Sequence, residues 1–131
     1  MRYLPVRIHP DQDLRQALEA LLPQENVAAA FVVSGIGSLS TAMIRFAGMS
    51  EPTALHGDFE FLTLAGSLSP EGAHLHITIS DAQGQVTGGH VAPGCIIRTT
   101  AEILLALLPD HQFTREPDPA SGCNELVIRP A

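Results

Sequence analysis

Residues Tyr3 to Ile8 alternate apolar and polar side chains, the two-residue period of a half-buried strand, and Pro5 places that strand at a sheet edge. The period then changes. Over "HPDQDLRQALEALLPQ" the apolar positions Leu14, Ala17, Leu18, Leu21 and Leu22 share one helical face, with Asp11 or Asp13 as N-cap and Pro23 as the stop. Val27 to Ser38 is a continuous apolar run ending in glycines, and "STAMIRFAG" follows as its partner strand in a hairpin or as a near neighbour. "MSEPTALHG" reads as a loop. "DFEFLTLAGSLS" sets Phe59, Phe61 and Thr63 against Glu60, Leu62 and Leu64, a central strand with both faces largely covered. "AHLHITISD" and "QVTGGHV" flank the turn "DAQG". "CIIRTTAEILLALLP" opens with β-branched residues and closes with Leu and Ala, so its first half is predicted as strand and its second half as strand or helix. "DHQFTREPDPASG" has turn chemistry, and "CNELVIRP" closes the chain as a strand. No repeat or linker divides these elements, so residues 1–131 are expected to form a single domain.

Composition narrows the partners. Hydrophobic residues make up 45% of the chain and charged residues 16%, enough to fold but short of charge to cover the surface, so copies of the chain are expected to cover part of it. The net charge of −7 and the absence of a basic cluster disfavour direct contact with nucleic acid or an anionic membrane. The longest apolar run is interrupted by Arg98 and Glu102, which excludes a membrane-spanning helix. The opening residues already read as strand and turn rather than a secretory leader, so the expected location is cytoplasmic. Cys95 and Cys123 then read as thiols, not as a bridge.

The candidate chemistry sits in "HLHITISDAQGQVTGGH". Alternate residues of a strand share a face, so His74 and His76 project together. A hairpin centred on Gln83 pairs residues whose numbers sum to 166, which sets His90 opposite His76 and diagonal to His74. A slip of one residue turns His90 to the other face. Gly88 and Gly89 permit a bulge or a close backbone approach just before it. Three neutral imidazoles suit zinc best, or another divalent metal, and leave an open coordination position.

Other residues are weaker candidates. "GIGSLS" lacks the frame of a dinucleotide loop and reads as a glycine turn between strands. Glu60 and Glu102 lie in apolar runs, where pairing with Arg45 or Arg98 is the expectation; orienting a histidine or acting as an acid or base is the alternative. Cys95 reads as a buried thiol before a fourth ligand, and His9, His56 and His111 as surface groups. No nucleophile or phosphate-loop motif is present, so no catalytic residue is assigned and no organic cofactor is expected.

"GDFEFLTLAGSLS", "HLHITISDAQGQVTGGHV" and "GCIIRTTAEILL" together resemble the plants-and-prokaryotes-conserved (PPC) domain over nearly the whole chain. The family's Gly-Arg-Phe-Glu-Ile-Leu core is matched by Gly57, Asp58, Phe59, Glu60, Phe61 and Leu62, with Asp58 in place of the basic residue. The resemblance implies an α+β fold: a mixed, mainly antiparallel sheet curled into a half-barrel with one main helix against it. It also implies a homotrimer, and a divalent metal, zinc foremost, on His74, His76 and His90. The histidine pattern is also similar to the zinc ligands of acetolactate decarboxylase, which implies a metal-dependent enzyme with a small-molecule ligand at the metal as one alternative. The other alternative is the DNA-binding or regulatory role associated with plant relatives. Their AT-hooks carry an Arg-Gly-Arg core, and this chain has none.

Overall fold

A computed structural model describes residues 1–131. In chain order the elements are β1 (Arg2–Ile8), α1 (Leu14–Glu19), α2 (Leu21–Glu25), β2 (Ala30–Arg45), β3 (Thr53–Ser69), β4 (Gly72–Ser80), β5 (Val86–Val91), β6 (Ile96–Leu107), β7 (His111–Asp118) and β8 (Cys123–Pro130). Six strands form one sheet in the order β1-β6-β2-β3-β4-β5, while β7 and β8 form a separate hairpin. Every ladder is antiparallel, and the parallel contact is the single bridge from Ala28 to Gln112. Pro5 lies on the edge strand opposite Leu104, where a missing N–H leaves no neighbour on the outer side unpaired. The far end of β2 crosses to β5, pairing Ile44 with Val91 and Arg45 with His90, and so curls the sheet back on itself without closing a barrel. The fold is α+β, as the resemblance implies.

The helix starts where the sequence predicts. Asp13 is the N-cap: its Oδ1 accepts from the Gln16 backbone N–H at 3.0 Å, and its Oδ2 from the Gly94 N–H at 2.7 Å. Leu14, Leu18 and Leu22 are buried, each contributing about 2 kcal/mol, in one core cluster with the inward residues of the sheet. Pro23 does not end the helix. It occupies the first turn of α2, where its N–H is not needed, and the helix stops at Asn26 in the left-handed conformation.

Further expectations are corrected. Val27–Ser38 and "STAMIRFAG" are not two strands: Ala30 to Arg45 is one strand of 16 residues, bent by bulges around Val32, Gly37 and Leu39. Gly37 within it is no turn residue, because a Cβ there would run into the Thr100 carbonyl and lie 2.6 Å from the Phe61 ring. Thr53 to Gly57, read as loop, already belong to β3, and β3 leaves Glu60, Leu62 and Thr63 exposed rather than covered. Residues 111–118, read as turn, form β7, in register with β8 from His111 opposite Pro130 to Asp118 opposite Cys123. The open half of residues 95–108 is strand throughout, with Ile97, Ala101, Ile103, Leu105 and Leu107 in the core. No helix is long and apolar enough to cross a membrane.

Candidate metal centre

The hairpin of β4 and β5 has the register that gathers the histidines. His76 pairs with His90 and Ile77 with Gly89, and the turn is clasped by Asp81, whose Oδ1 accepts from the N–H groups of Gln83 and Gln85 at 2.9 Å. The double glycine lets β5 lie close to both neighbours. A Cβ on Gly88 would overlap the Ile77 carbonyl, and one on Gly89 would sit 2.7 Å from the Arg45 carbonyl oxygen. Ring centroids are separated by 5.0 Å for His74 and His76, 5.4 Å for His74 and His90, and 5.9 Å for His76 and His90. One nitrogen from each ring lies within 4.8 Å of the others. A tetrahedral zinc site needs about 3.3 Å between ligand nitrogens, so ring shifts below about 1 Å would complete it.

The surroundings favour the uncharged form of two of the rings, His90 and His74. Burial, then the Arg45 guanidinium, pushes His90 down to about 4. Burial, then Arg115, lowers His74. Neutral imidazole is the form that ligates a metal. His90 Nδ1 is buried with no hydrogen-bond partner, while its Nε2 lies 3.5 Å from Arg15 Nη1. A buried unpartnered ring nitrogen costs free energy that coordination would recover, so the donor set fits a divalent ion.

Arg15 is held by Glu19 at 2.8 Å and donates to the Val91 carbonyl at 3.0 Å; Glu19 also accepts the Ala73 N–H at 3.1 Å. The β7–β8 hairpin adds Arg115, which donates to Ser67 Oγ at 2.9 Å, and Glu125. Together with the end of β2, these elements enclose a cleft of about 480 Å³ beside His74 and His90. A second of about 380 Å³ adjoins His74 and His76. The glycine-flanked histidines were readable from spacing, but Arg15, Arg45 and Arg115 were not, because three elements distant in sequence bring them in. Glu60 and Glu102 line neither histidine cleft and form no ion pair, being exposed on outward faces; Arg98 instead pairs with Asp58 at 3.0 Å. Cys95 is a buried free thiol whose Sγ accepts from Met43 N–H at 3.3 Å, apart from the histidine group. His9, His56 and His111 are exposed.

Comparison with known proteins identifies the fold and the family. The chain is 50% identical over 130 residues, 99% of its length, to Bifunctional protein GlmU from a Synechococcus strain. It spans only 21% of that longer relative. A solved structure from Salmonella cholerae-suis superimposes with a TM-score of 0.95 at 39% identity, covering 98% of this chain and 94% of that one. A metal-containing protein from Archaeoglobus fulgidus superimposes with a TM-score of 0.79, covering 97% of this chain and 94% of that one; at 23% identity the likeness is one of fold. The family model for the Plants and Prokaryotes Conserved domain matches residues 1–109, from the edge strand through all three histidines, and the chain belongs to that family.

Proposed function

We propose that this chain is a metal-binding domain in which His74, His76 and His90 hold one divalent cation, zinc foremost, and offer it to a small-molecule ligand. The observation that carries the reading is the convergence of three ring nitrogens within 4.8 Å, one ring having a buried nitrogen without a partner. Zinc is preferred because neutral imidazoles are borderline-soft donors and three of them leave a fourth tetrahedral position for water or a ligand oxygen. There the ion would polarise that oxygen or lower the pKa of bound water. The fold shared with the metal-containing archaeal protein supports the reading. The Synechococcus relative, a longer chain that includes a counterpart of this one, supports a domain that works as a module beside others.

The working form is a homotrimer. Exposed Phe31, Val33 and Ile36 on β2, with Leu62 on β3, are apolar side chains that partner copies would cover. Direct binding to duplex DNA is disfavoured by the net charge of −7, with just seven basic residues to meet phosphates.

The test is elemental analysis of protein purified without a histidine tag, beside His76→Ala. The expected result is near-stoichiometric zinc in the wild type and a large loss in the variant; equal, negligible metal in both refutes the site. Sedimentation at three times the chain mass of 13.9 kDa tests the trimer.

A further inference from the structure

We infer that the cleft beside the histidines binds a small oxyanionic ligand, a carboxylate or phosphate, held by Arg45 and Arg115. The inference deepens the metal-domain reading and rests on it for the seat of any ligand oxygen on the ion. The chain has fourteen acidic residues and seven basic ones, all arginine. Three of those seven, Arg15, Arg45 and Arg115, line this one cleft, from α1, the end of β2 and β7. Arg2, Arg15, Arg98 and Arg129 each pair with a carboxylate. The other three pair with none: Arg7 is exposed and bonds Thr100 and the Thr99 carbonyl, whereas Arg45 and Arg115 are the half-buried two and both line the cleft.

Their present bonds go to neutral oxygens. Arg45 Nη1 donates to the Met49 carbonyl at 3.2 Å, and Arg115 Nη2 to Ser67 Oγ at 2.9 Å. Each guanidinium keeps spare donors in a planar fork that matches an oxyanion. Both residues are half-buried, unlike a solvated surface arginine. Glu71 and Glu125 also line the cleft, but Glu71 Oε2 takes the Arg115 backbone N–H at 2.8 Å. That bond comes from a neutral N–H, so the lining holds three arginines and two carboxylates, and the two guanidinium groups without an ion pair remain the donors open to an anion. A volume of about 480 Å³ suits a metabolite rather than a polymer. Arg115 lies beyond the residues matched by the family model, so this contact belongs to the C-terminal hairpin.

The experiment is calorimetric titration of the zinc-loaded full chain with malonate and, separately, inorganic phosphate, on wild type, Arg45→Gln, Arg115→Gln and the corresponding Lys variants. The expected result is binding of at least one anion, weakened about tenfold in each Gln variant and partly recovered by Lys, with zinc content unchanged throughout. The tighter anion identifies the ligand group. Unchanged affinity in the Gln variants, or no binding of either anion at millimolar concentration, overturns the inference. Arg45→Gln leaves the Ser67 contact intact and decides the case if Arg115→Gln fails to fold. If the wild type holds no zinc, the metal reading falls separately, and the same titration of the metal-free chain still decides the role of the arginines.

Discussion

Substituting Gly89 by Ala probes how backbone packing creates the histidine site. The added Cβ would lie 2.7 Å from the Arg45 carbonyl oxygen and 2.9 Å from Ile44 Cγ2, where ordinary contact begins near 3.4 Å. Neither neighbour is the free end of a flexible side chain, so β5 must move from β2 by about 0.7 Å. Overpacking of this kind costs about 1–3 kcal/mol, and the better strand preference of Ala returns about 0.5–1 kcal/mol. The net loss of about 1–2 kcal/mol lowers the melting temperature by about 4–7 °C for a chain of this length. His90 is the next residue, and a backbone shift of that size adds to the ring movement already needed to reach ligand spacing, so zinc affinity should fall about tenfold. Thermal melts of chelator-treated protein and competition against a chromophoric zinc chelator measure the two effects. Gly84→Ala is the control: its φ of +77° makes it costly in the turn, yet nothing lies within 4 Å, so it should lower stability and spare zinc binding. A Gly89→Ala protein with wild-type melting and wild-type zinc affinity refutes the close-approach argument.

Zinc at about a hundred times its dissociation constant should stabilise the wild type by about 2.7 kcal/mol, or about 10 °C, and leave the melting of His76→Ala unmoved. Because the folded pKa of His90 is about 4 against 6.5 unfolded, the unfolded chain binds more protons between those values. Metal-free protein should therefore lose stability as pH falls from 6.5 towards 4 and show no contribution from this group above 6.5; urea midpoints that stay constant through that window contradict it. Burial pushes the Cys95 thiol up to about 11, whereas Cys123 is exposed. A disulfide reagent should titrate one thiol per chain in the native state and a second only in denaturant. Leu18→Ala, at a fully buried helix position, should cost about 2–5 kcal/mol in urea unfolding, and a loss below 1 kcal/mol would show that the helix does not seal the core.

Local spacing by itself determined the helix, the edge strand with Pro5 and the register that sets His90 against His76, because strand alternation and a short turn act within a few residues. The continuity of β2 was hidden, since its bulges interrupt the alternation and its glycines mimic turn chemistry, while the true reason for Gly37 is a crossing ring from Phe61. The β7 strand was hidden by its charge and by Pro117, which a peripheral two-stranded hairpin tolerates and a central strand does not. Tertiary structure alone decided the rest of the site: the return of β2 to β5 brings Arg45 beside His90, helix packing brings Arg15, and the last hairpin brings Arg115. No periodicity records those meetings. They follow from how a curled sheet folds distant segments over one face, where burial and the pooled charge of the whole chain, rather than neighbours in sequence, set the chemistry.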